Sequence, residues 1–310
     1  MRAVRHTERG IEVREVPPPT GPGVRVRVRS SSICGTDLVM TKGTPFPFTL
    51  GHEFAGLLDD GSAVAVEPIN SCGTCEQCVA GNHQRCELGM EVFYGMGADG
   101  GLCDEVVVPR RSLHPLPPEL PVADACLVEP TAVALHGLRT AGVAAGQRVA
   151  VIGGGSIGLL AVAGALASGA DVDLLARHPA QVDAGLRLGA GAPQGHYDLV
   201  VDAAGSSSGL ASAVELARPG GALLLLAVYF GEVPLLGVPL LSKELTVRNA
   251  MAYSHHGEGS DFGAAVALLA AQPEIADTLI TERFPLDDAA AAFRAAADRA
   301  SGSIKIVLEP

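Results

Sequence analysis

Four cysteines in one short segment have the spacing of a metal site. Cys72, Cys75, Cys78 and Cys86 follow the pattern Cys-x2-Cys-x2-Cys-x7-Cys. Four thiolates on a loop suit a tetrahedral zinc ion, and because they leave no coordination position open, the predicted site is structural. An iron–sulfur cluster is the alternative group for four cysteines. Four free surface thiols would be a liability in a cytosolic protein, which favours zinc.

A second set of candidate ligands is scattered along the chain. Cys34 lies in Cys-Gly-Thr-Asp, and His52 and Glu53 follow a glycine. A thiolate, an imidazole and a carboxylate are the ligand types of open, catalytic zinc sites. Glu129 lies in an apolar run just before a helix predicted over 132–140. Its carboxylate could bind a metal or interact favourably with the helix N-terminus, and the residues alone leave both interpretations open.

A glycine-rich turn indicates a dinucleotide site. The motif follows an apolar strand, 148–152, and opens a helix predicted over 159–167; it reads Gly153-Gly154-Gly155-Ser156-Ile157-Gly158. In this fingerprint the first glycine makes the turn, the second lets the backbone approach a pyrophosphate, and the third lets helix and strand pack closely. The helix N-terminus offers N–H groups and a positive dipole end to the phosphates. A plain Gly-rich loop is the alternative, but the strand and helix around the motif favour cofactor binding by Gly153, Gly155, Ser156, Ile157 and Gly158.

The residues after the next predicted strand bear on which nicotinamide cofactor binds. An acidic residue about 20 positions past the glycines would hydrogen-bond the ribose hydroxyls of NAD. The position that aligns is Ala176, followed by Arg177 and His178. The loss of the acid and the presence of an arginine suit the extra phosphate of NADP. We therefore expect NADP to be preferred, with a solvent-exposed pair at the start of a helix as the alternative interpretation.

Alternating strands and helices must position these groups. Val24–Arg29 alternates strictly between valine and arginine, which predicts a half-buried strand in a strand-rich first segment. After the glycine turn, strand and helix patterns alternate as in a doubly wound parallel sheet. Strands are predicted at 172–176, 197–202, 222–228 and 245–250, and helices at 181–188, 210–217 and 262–271. The tail returns to a strand at 278–284, a helix at 286–300 and a strand at 304–308.

Composition limits the class of protein. A length of 310 residues suits two domains, and 18% charged against 48% hydrophobic residues indicates a well-buried globular chain. The net charge of −12 argues against nucleic acid and anionic membranes as partners. The first six residues include charges and no apolar segment, and the longest apolar stretches are too short to span a bilayer. We expect a cytoplasmic protein whose seven cysteines are metal ligands or buried thiols.

Taken in order, these motifs resemble the zinc-dependent medium-chain alcohol dehydrogenases, particularly the polyol/threonine dehydrogenase branch, over essentially the whole chain. The resemblance implies an α/β protein in which a strand-rich, GroES-like partial barrel is combined with a Rossmann-type, doubly wound parallel sheet. We expect a catalytic domain over 1–131 and 255–310, with the cofactor domain inserted at 132–254. It also implies two zinc ions per chain, NADP or NAD, a small alcohol or ketone substrate bound between the domains, and a homodimer or homotetramer.

The same resemblance implies roles for individual residues. Cys34 and His52 are expected to bind the catalytic zinc. Glu129 is expected as the third ligand, with Glu53 near it or exchanging with it.

Two residues of the Cys-Gly-Thr-Asp motif take roles by resemblance too. Thr36 is expected to pass the proton of the substrate hydroxyl toward solvent, and Asp37 to orient the ligand histidine. Zinc would lower the pKa of a bound secondary alcohol, polyol or amino alcohol, and hydride would pass to the nicotinamide; the reverse reaction would reduce a ketone or aldehyde.

The chain departs from the family pattern in two further places. The link from Gly56 to Cys72 is shorter, and only residues 191–196 separate the helix at 181–188 from the next strand. We therefore expect fewer than the family's six strands in the cofactor sheet. Two alternatives to a zinc dehydrogenase stay open. A zinc-free quinone or enoyl reductase would lack the ligands found here, and a non-catalytic cofactor-binding or redox-sensing protein would not need Thr36.

Overall fold

The computed structural model describes residues 1–234, 236–257, 259–298 and 300–310. Its contacts divide the chain into one unit of residues 1–129 with 254–310 and a second unit of residues 130–253. In the described part of the chain, no helix combines the length and apolarity needed to cross a bilayer.

Sixteen strands and ten α-helices are interspersed along the described residues. The strands are β1 (Arg2–Thr7), β2 (Gly10–Glu15), β3 (Val24–Ser32), β4 (Glu53–Leu57), β5 (Ala63–Val66), β6 (Glu105–Val108), β7 (Leu113–Pro115), β8 (Arg148–Ile152), β9 (Asp171–Leu175), β10 (Tyr197–Asp202), β11 (Ala217–Leu225), β12 (Thr246–Asn249), β13 (His255–His256), β14 (Gly259–Ser260), β15 (Ile280–Pro285) and β16 (Lys305–Glu309). The helices are α1 (Gly35–Met40), α2 (Glu76–Val79), α3 (Val128–Ala141), α4 (Ser156–Ala167), α5 (Pro179–Arg187), α6 (Ser207–Leu216), α7 (Gly237–Ser242), α8 (Asp261–Ala271), α9 (Glu274–Leu279) and α10 (Ala289–Ala297).

The first unit is built on a mostly antiparallel sheet in the order β15-β16-β3-β4-β5-β7, with β6 also paired to β3. The alternating pattern of β3 has the predicted effect: Val26 and Val28 are fully buried, and Arg25, Arg27 and Arg29 are exposed. Because β3 pairs with β4, β6 and β16, it brings together segments from both ends of the chain. The short link noted in the sequence is a tight connection over residues 58–62, between β4 and β5.

The second unit contains a five-stranded parallel sheet in the order β12-β11-β10-β8-β9. The α/β class and the shortened sheet are both as predicted. At the β9 edge, the residues before β10 supply only one parallel bridge, between Gly191 and Asp173. The Tyr197 hydroxyl donates to Asp173 at 2.7 Å and accepts from the Gln194 backbone N–H at 2.7 Å. These bonds hold the short segment against the edge where the family has a further strand.

Several predicted element boundaries were wrong. Helix α3 begins at Val128 instead of residue 132, so Glu129 lies in its first turn. Helix α9 was not predicted, and it covers the first two residues of the expected strand at 278–284. No helix was predicted at α7, which takes in most of the apolar stretch 236–241; Leu235 lies outside the described residues.

Candidate active site and metal centres

The Cys-Gly-Thr-Asp motif forms a helix start. Cys34 is the N-cap of α1, its Sγ accepts from the Thr36 backbone N–H at 3.5 Å, and its backbone N–H donates to Asp37 Oδ2 at 2.9 Å. This reciprocal capping fixes the Cys34 thiol beside the buried Asp37 carboxylate. Thr36 is only half buried, so its hydroxyl lies on the accessible side of the motif.

His52 lies against that carboxylate. Its Nδ1 is 3.5 Å from Asp37 Oδ1, and both atoms are buried without a hydrogen-bond partner among the described residues. Because Nδ1 faces Asp37, Nε2 is the nitrogen left to bind a metal. Burial disfavours the imidazolium, but the negative charges of Asp37 and Cys34 outweigh burial and raise the pKa of His52 well above its ordinary value. A bound dication would satisfy the same negative charges and displace that proton.

Glu53 is held by two side chains that the sequence analysis missed. Lys305 Nζ lies 2.7 Å and 3.0 Å from the two oxygens of Glu53, and the Ser32 hydroxyl donates to the same carboxylate. Glu53 and Lys305 are 1% and 3% exposed, so the ion pair is buried. The one available signal was a lysine inside an otherwise apolar terminal strand, where an unpaired charge is rarely buried.

Three of the four candidate ligands of the catalytic zinc lie close together, and the fourth lies farther away. One ligand atom from each of Cys34, His52 and Glu53 lies within 4.8 Å of the other two; Glu129 does not belong to that group. Glu129 is nevertheless buried, and the charges of His52 and Glu53 act on it. Burial raises the pKa of Glu129 to about 8. The thiol of Cys34, the imidazole of His52 and the carboxylates of Glu53 and Glu129 are ligand types that zinc accepts, so this donor set fits a zinc cation.

The four predicted structural ligands form a separate group whose sulfurs all lie within 4.8 Å of one another. The Sγ atoms of Cys72 and Cys78 are 3.8 Å apart. Zinc–sulfur bonds of about 2.3 Å in a tetrahedron place neighbouring sulfurs about 3.8 Å apart, so this spacing fits zinc and is far too long for a disulfide. Backbone N–H groups of Thr74 and Cys75 donate to Cys72 Sγ and lower the pKa of that thiol to about 6, which favours the thiolate.

The glycine turn has the geometry that its fingerprint requires. Gly153 has φ +100°, and Gly155 is the N-cap of α4. A Cβ added at Gly158 would lie 1.8 Å from the Gly153 carbonyl oxygen, so only glycine permits this contact. A Cβ at Gly155 would meet nothing within 4 Å, which leaves room for a phosphate at the helix N-terminus beside Ser156 and Ile157.

Arg177 and His178, the residues predicted to favour NADP over NAD, follow β9 and precede α5. Arg177 is exposed, and His178 is the N-cap of α5 without a side-chain capping bond. Neither side chain is used in a helix cap, and Arg177 is open to solvent at this edge of the sheet.

Known proteins resemble the chain over its whole length. The family model described as the alcohol dehydrogenase GroES-like domain matches residues 21–118, and that described as the glucose dehydrogenase C-terminus matches residues 123–309. Galactitol 1-phosphate 5-dehydrogenase of Escherichia coli K12 is 32% identical, with 93% of this chain and 92% of the relative covered. L-galactonate-5-dehydrogenase of the same organism is 32% identical, with coverages of 88% and 87%.

Solved structures show the same likeness. The crystal structure of galactitol-1-phosphate dehydrogenase from Escherichia coli matches with a TM-score of 0.89 at 30% identity and covers 100% of both chains. A structure described as a zinc-binding dehydrogenase from Sinorhizobium meliloti 1021, bound to NADP, matches with a TM-score of 0.87 at 30% identity, covering 100% of this chain and 99% of the other.

Proposed function

The chain belongs to the zinc-dependent medium-chain alcohol dehydrogenases, in their polyol dehydrogenase-like branch, and from that membership we propose that it oxidises a secondary hydroxyl of a polyol or sugar acid with NADP, or reduces the corresponding ketone. The observation that carries the proposal is that one ligand atom from each of Cys34, His52 and Glu53 lies within 4.8 Å of the other two, with the buried Asp37 carboxylate 3.5 Å from His52. The named relatives act on sugar alcohols and sugar acids, which supports that substrate class.

Zinc, Asp37 and Thr36 have different roles in the proposed reaction. When bound, zinc supplies a Lewis acid that lowers the pKa of a substrate hydroxyl. The charge of the Asp37 carboxylate, 3.5 Å from Nδ1, orients His52, and the hydroxyl of the half-buried Thr36, two residues after Cys34, carries the released proton outward.

We assign the third ligand position to Glu129 ahead of Glu53. Glu53 already has Lys305 and Ser32 as partners, which neutralise and hold its carboxylate. Burial raises the pKa of Glu129 to about 8, and a cation beside this carboxyl would favour its ionised form. Exchange between the two glutamates would require Glu53 to leave Lys305.

For the cofactor, we propose NADP ahead of NAD, bound by the 130–253 unit as the cofactor domain. Gly155 leaves room for the pyrophosphate, and Arg177 lies exposed where the extra phosphate of NADP would bind. The NADP-bound relative supports this choice. The other unit is then the catalytic domain, and its free thiols suit a reducing compartment such as the cytoplasm.

We also propose a homo-oligomer, a dimer or a tetramer. Strand β12 lies at an edge of the parallel sheet and all four of its residues are exposed. Val238, Leu241 and Met251, in the same unit, are 78%, 79% and 55% exposed. An open edge beside exposed apolar side chains is a surface that natural proteins cover.

The test measures nicotinamide absorbance with polyols, sugar acids and amino alcohols, each offered with NADP and with NAD. We expect turnover that a chelator abolishes. Cys34→Ser is expected to lower kcat by at least about 100-fold and to remove one zinc ion per chain, while NADP binding is retained. Zinc-independent reduction of an added quinone or enone by NADPH would favour a quinone or enoyl reductase. Tight NADP binding without turnover of any of these substrates, in zinc-replete protein, would favour a non-catalytic binding protein.

A further inference from the structure

Two histidines and a glutamate outside the sites described so far lie together in the unit of residues 1–129 and 254–310. Glu67 directly follows β5, His83 lies in the 3-10 turn His83–Arg85 within the four-cysteine segment, and His255 lies in β13. One ligand atom from each lies within 4.8 Å of the other two. None of them has a role in the proposed reaction.

The spacing within this cluster is that of ligands around an ion. His255 Nε2 lies 3.3 Å and 3.2 Å from the two oxygens of Glu67. These distances allow a hydrogen bond, but they are longer than the about 2.7–2.9 Å that is usual for a charge-assisted one. Zinc–nitrogen and zinc–oxygen bonds of about 2.0–2.1 Å place neighbouring ligands roughly 3.3–3.4 Å apart in a tetrahedron. The Glu67–His255 separation therefore already matches one edge of a coordination polyhedron.

The third candidate ligand, His83, lies close enough to Glu67 and His255 to bind the same ion. The rings of His83 and His255 have centroids 4.1 Å apart and planes 33° apart. The largest ligand separation allowed by the cluster, 4.8 Å, exceeds the tetrahedral edge by about 1.5 Å. His83 is partly exposed, so rotation of its side chain can close that difference.

Surrounding groups fix the cluster. His114 Nε2 lies 3.0 Å from Glu67 Oε2, as an outer partner that orients a ligating carboxylate would. The backbone N–H of His255 donates to the Gly81 carbonyl at 2.9 Å, which ties this strand to the four-cysteine segment. Glu67 is 3% exposed; burial would raise the pKa of its carboxyl, but hydrogen bonds from His114 and His255 outweigh burial and lower it. The carboxylate is thus ionised, and a cation bound to it would replace the proton that His255 Nε2 shares with Glu67.

We propose that Glu67, His83 and His255 bind a further zinc ion, distinct from the catalytic and four-cysteine sites. Two imidazoles and one carboxylate form a ligand set that zinc accepts with a water in the fourth position. The His255 side chain is 34% exposed, which gives the ion and that water access. Bound there, zinc links the segment carrying His83 to the strand carrying His255.

The experiment counts zinc without relying on activity. Protein holding its catalytic and structural zinc is titrated with Zn²⁺ against a chromophoric chelator, and bound zinc is counted by mass spectrometry. We expect the wild-type chain to bind one more equivalent than His255→Gln or His83→Gln. Removing an outer partner of a metal site costs about 10–100-fold in affinity, so removing a ligand should weaken the further equivalent by at least about 100-fold. His256→Gln is the matched control, because His256 pairs with Asp261 and lies outside the cluster.

A second measurement, the Tm with and without added Zn²⁺, separates loss of the site from misfolding of a variant. Added Zn²⁺ should raise the Tm of the wild-type chain and of His256→Gln, and should leave the Tm of His83→Gln unchanged. The proposal is wrong if the wild-type chain binds no zinc beyond two equivalents. It is also wrong if both cluster variants, folded by circular dichroism, keep the further equivalent with wild-type affinity.

Discussion

Lys305→Met tests the buried ion pair behind the candidate zinc site. The substitution keeps most of the side-chain volume but removes the cation that compensates Glu53, which is 1% exposed. Removing one partner of a buried pair costs about 3–5 kcal/mol, because the other charge stays buried. At about 2 °C per kcal/mol for a chain of this size, the Tm should fall by roughly 6–10 °C. The Ser32 hydroxyl still donates to Glu53, which places the expected loss toward the lower end.

The assay is differential scanning calorimetry of wild-type, Lys305→Met, Lys305→Arg and Lys42→Met proteins at equal zinc content. Lys42 is exposed, so its substitution should change stability by no more than about 0.5 kcal/mol. Lys305→Arg keeps the charge and should recover part of the loss. Adding Glu53→Gln to Lys305→Met should also restore stability, because no unpaired charge remains. A fall in Tm no larger than that of Lys42→Met would refute the reasoning.

Three further perturbations test other parts of the molecule. Arg177→Ala should lower kcat/KM with NADP while sparing NAD; an unchanged ratio of the two would remove the argument for NADP. Gly158→Ala, whose Cβ would lie 1.8 Å from a backbone oxygen of the same turn, should cost about 1–3 kcal/mol of stability. Gly155→Ala meets no atom within 4 Å and should weaken NADP binding at unchanged Tm; equal effects of the two on Tm would contradict the assigned roles. Asp104 is partly buried, but hydrogen bonds from Arg2, including one of 2.8 Å, outweigh burial and lower the pKa of its carboxyl. The pair therefore stabilises the fold above the unfolded pKa of about 3.9 and loses its effect as the pH falls through the lower folded pKa, so Asp104→Asn should flatten the acid limb of a Tm–pH profile.

Local motifs made much of this protein predictable. The four cysteines lie within fifteen residues of sequence, so their spacing alone indicated a closed metal site. The glycine turn is equally local, because strand, turn and helix follow one another directly. The shortened sheet was predicted for a similar reason: residues 191–196 are too few to form both a helix and a strand.

Element boundaries were less predictable where neighbouring structure decides them. Glu129 and Pro130 were placed before a helix, whereas they lie in its first turn, where proline is tolerated because its missing N–H would have no partner. Helix α9 is only six residues long, and its buried side chains gain their stability from packing that no local pattern records.

By itself, the sequence determined the fold class, the family and the candidate ligands, because each rests on residues close together along the chain or on a fixed order of motifs. Only the tertiary structure decided which distant charges meet. Lys305 reaches Glu53 across 252 positions, and His255 reaches Glu67 across 188. Spacing along the chain carries no information about such pairs, since they form when strands distant in sequence pack in one unit and burial forces each charge to find a partner.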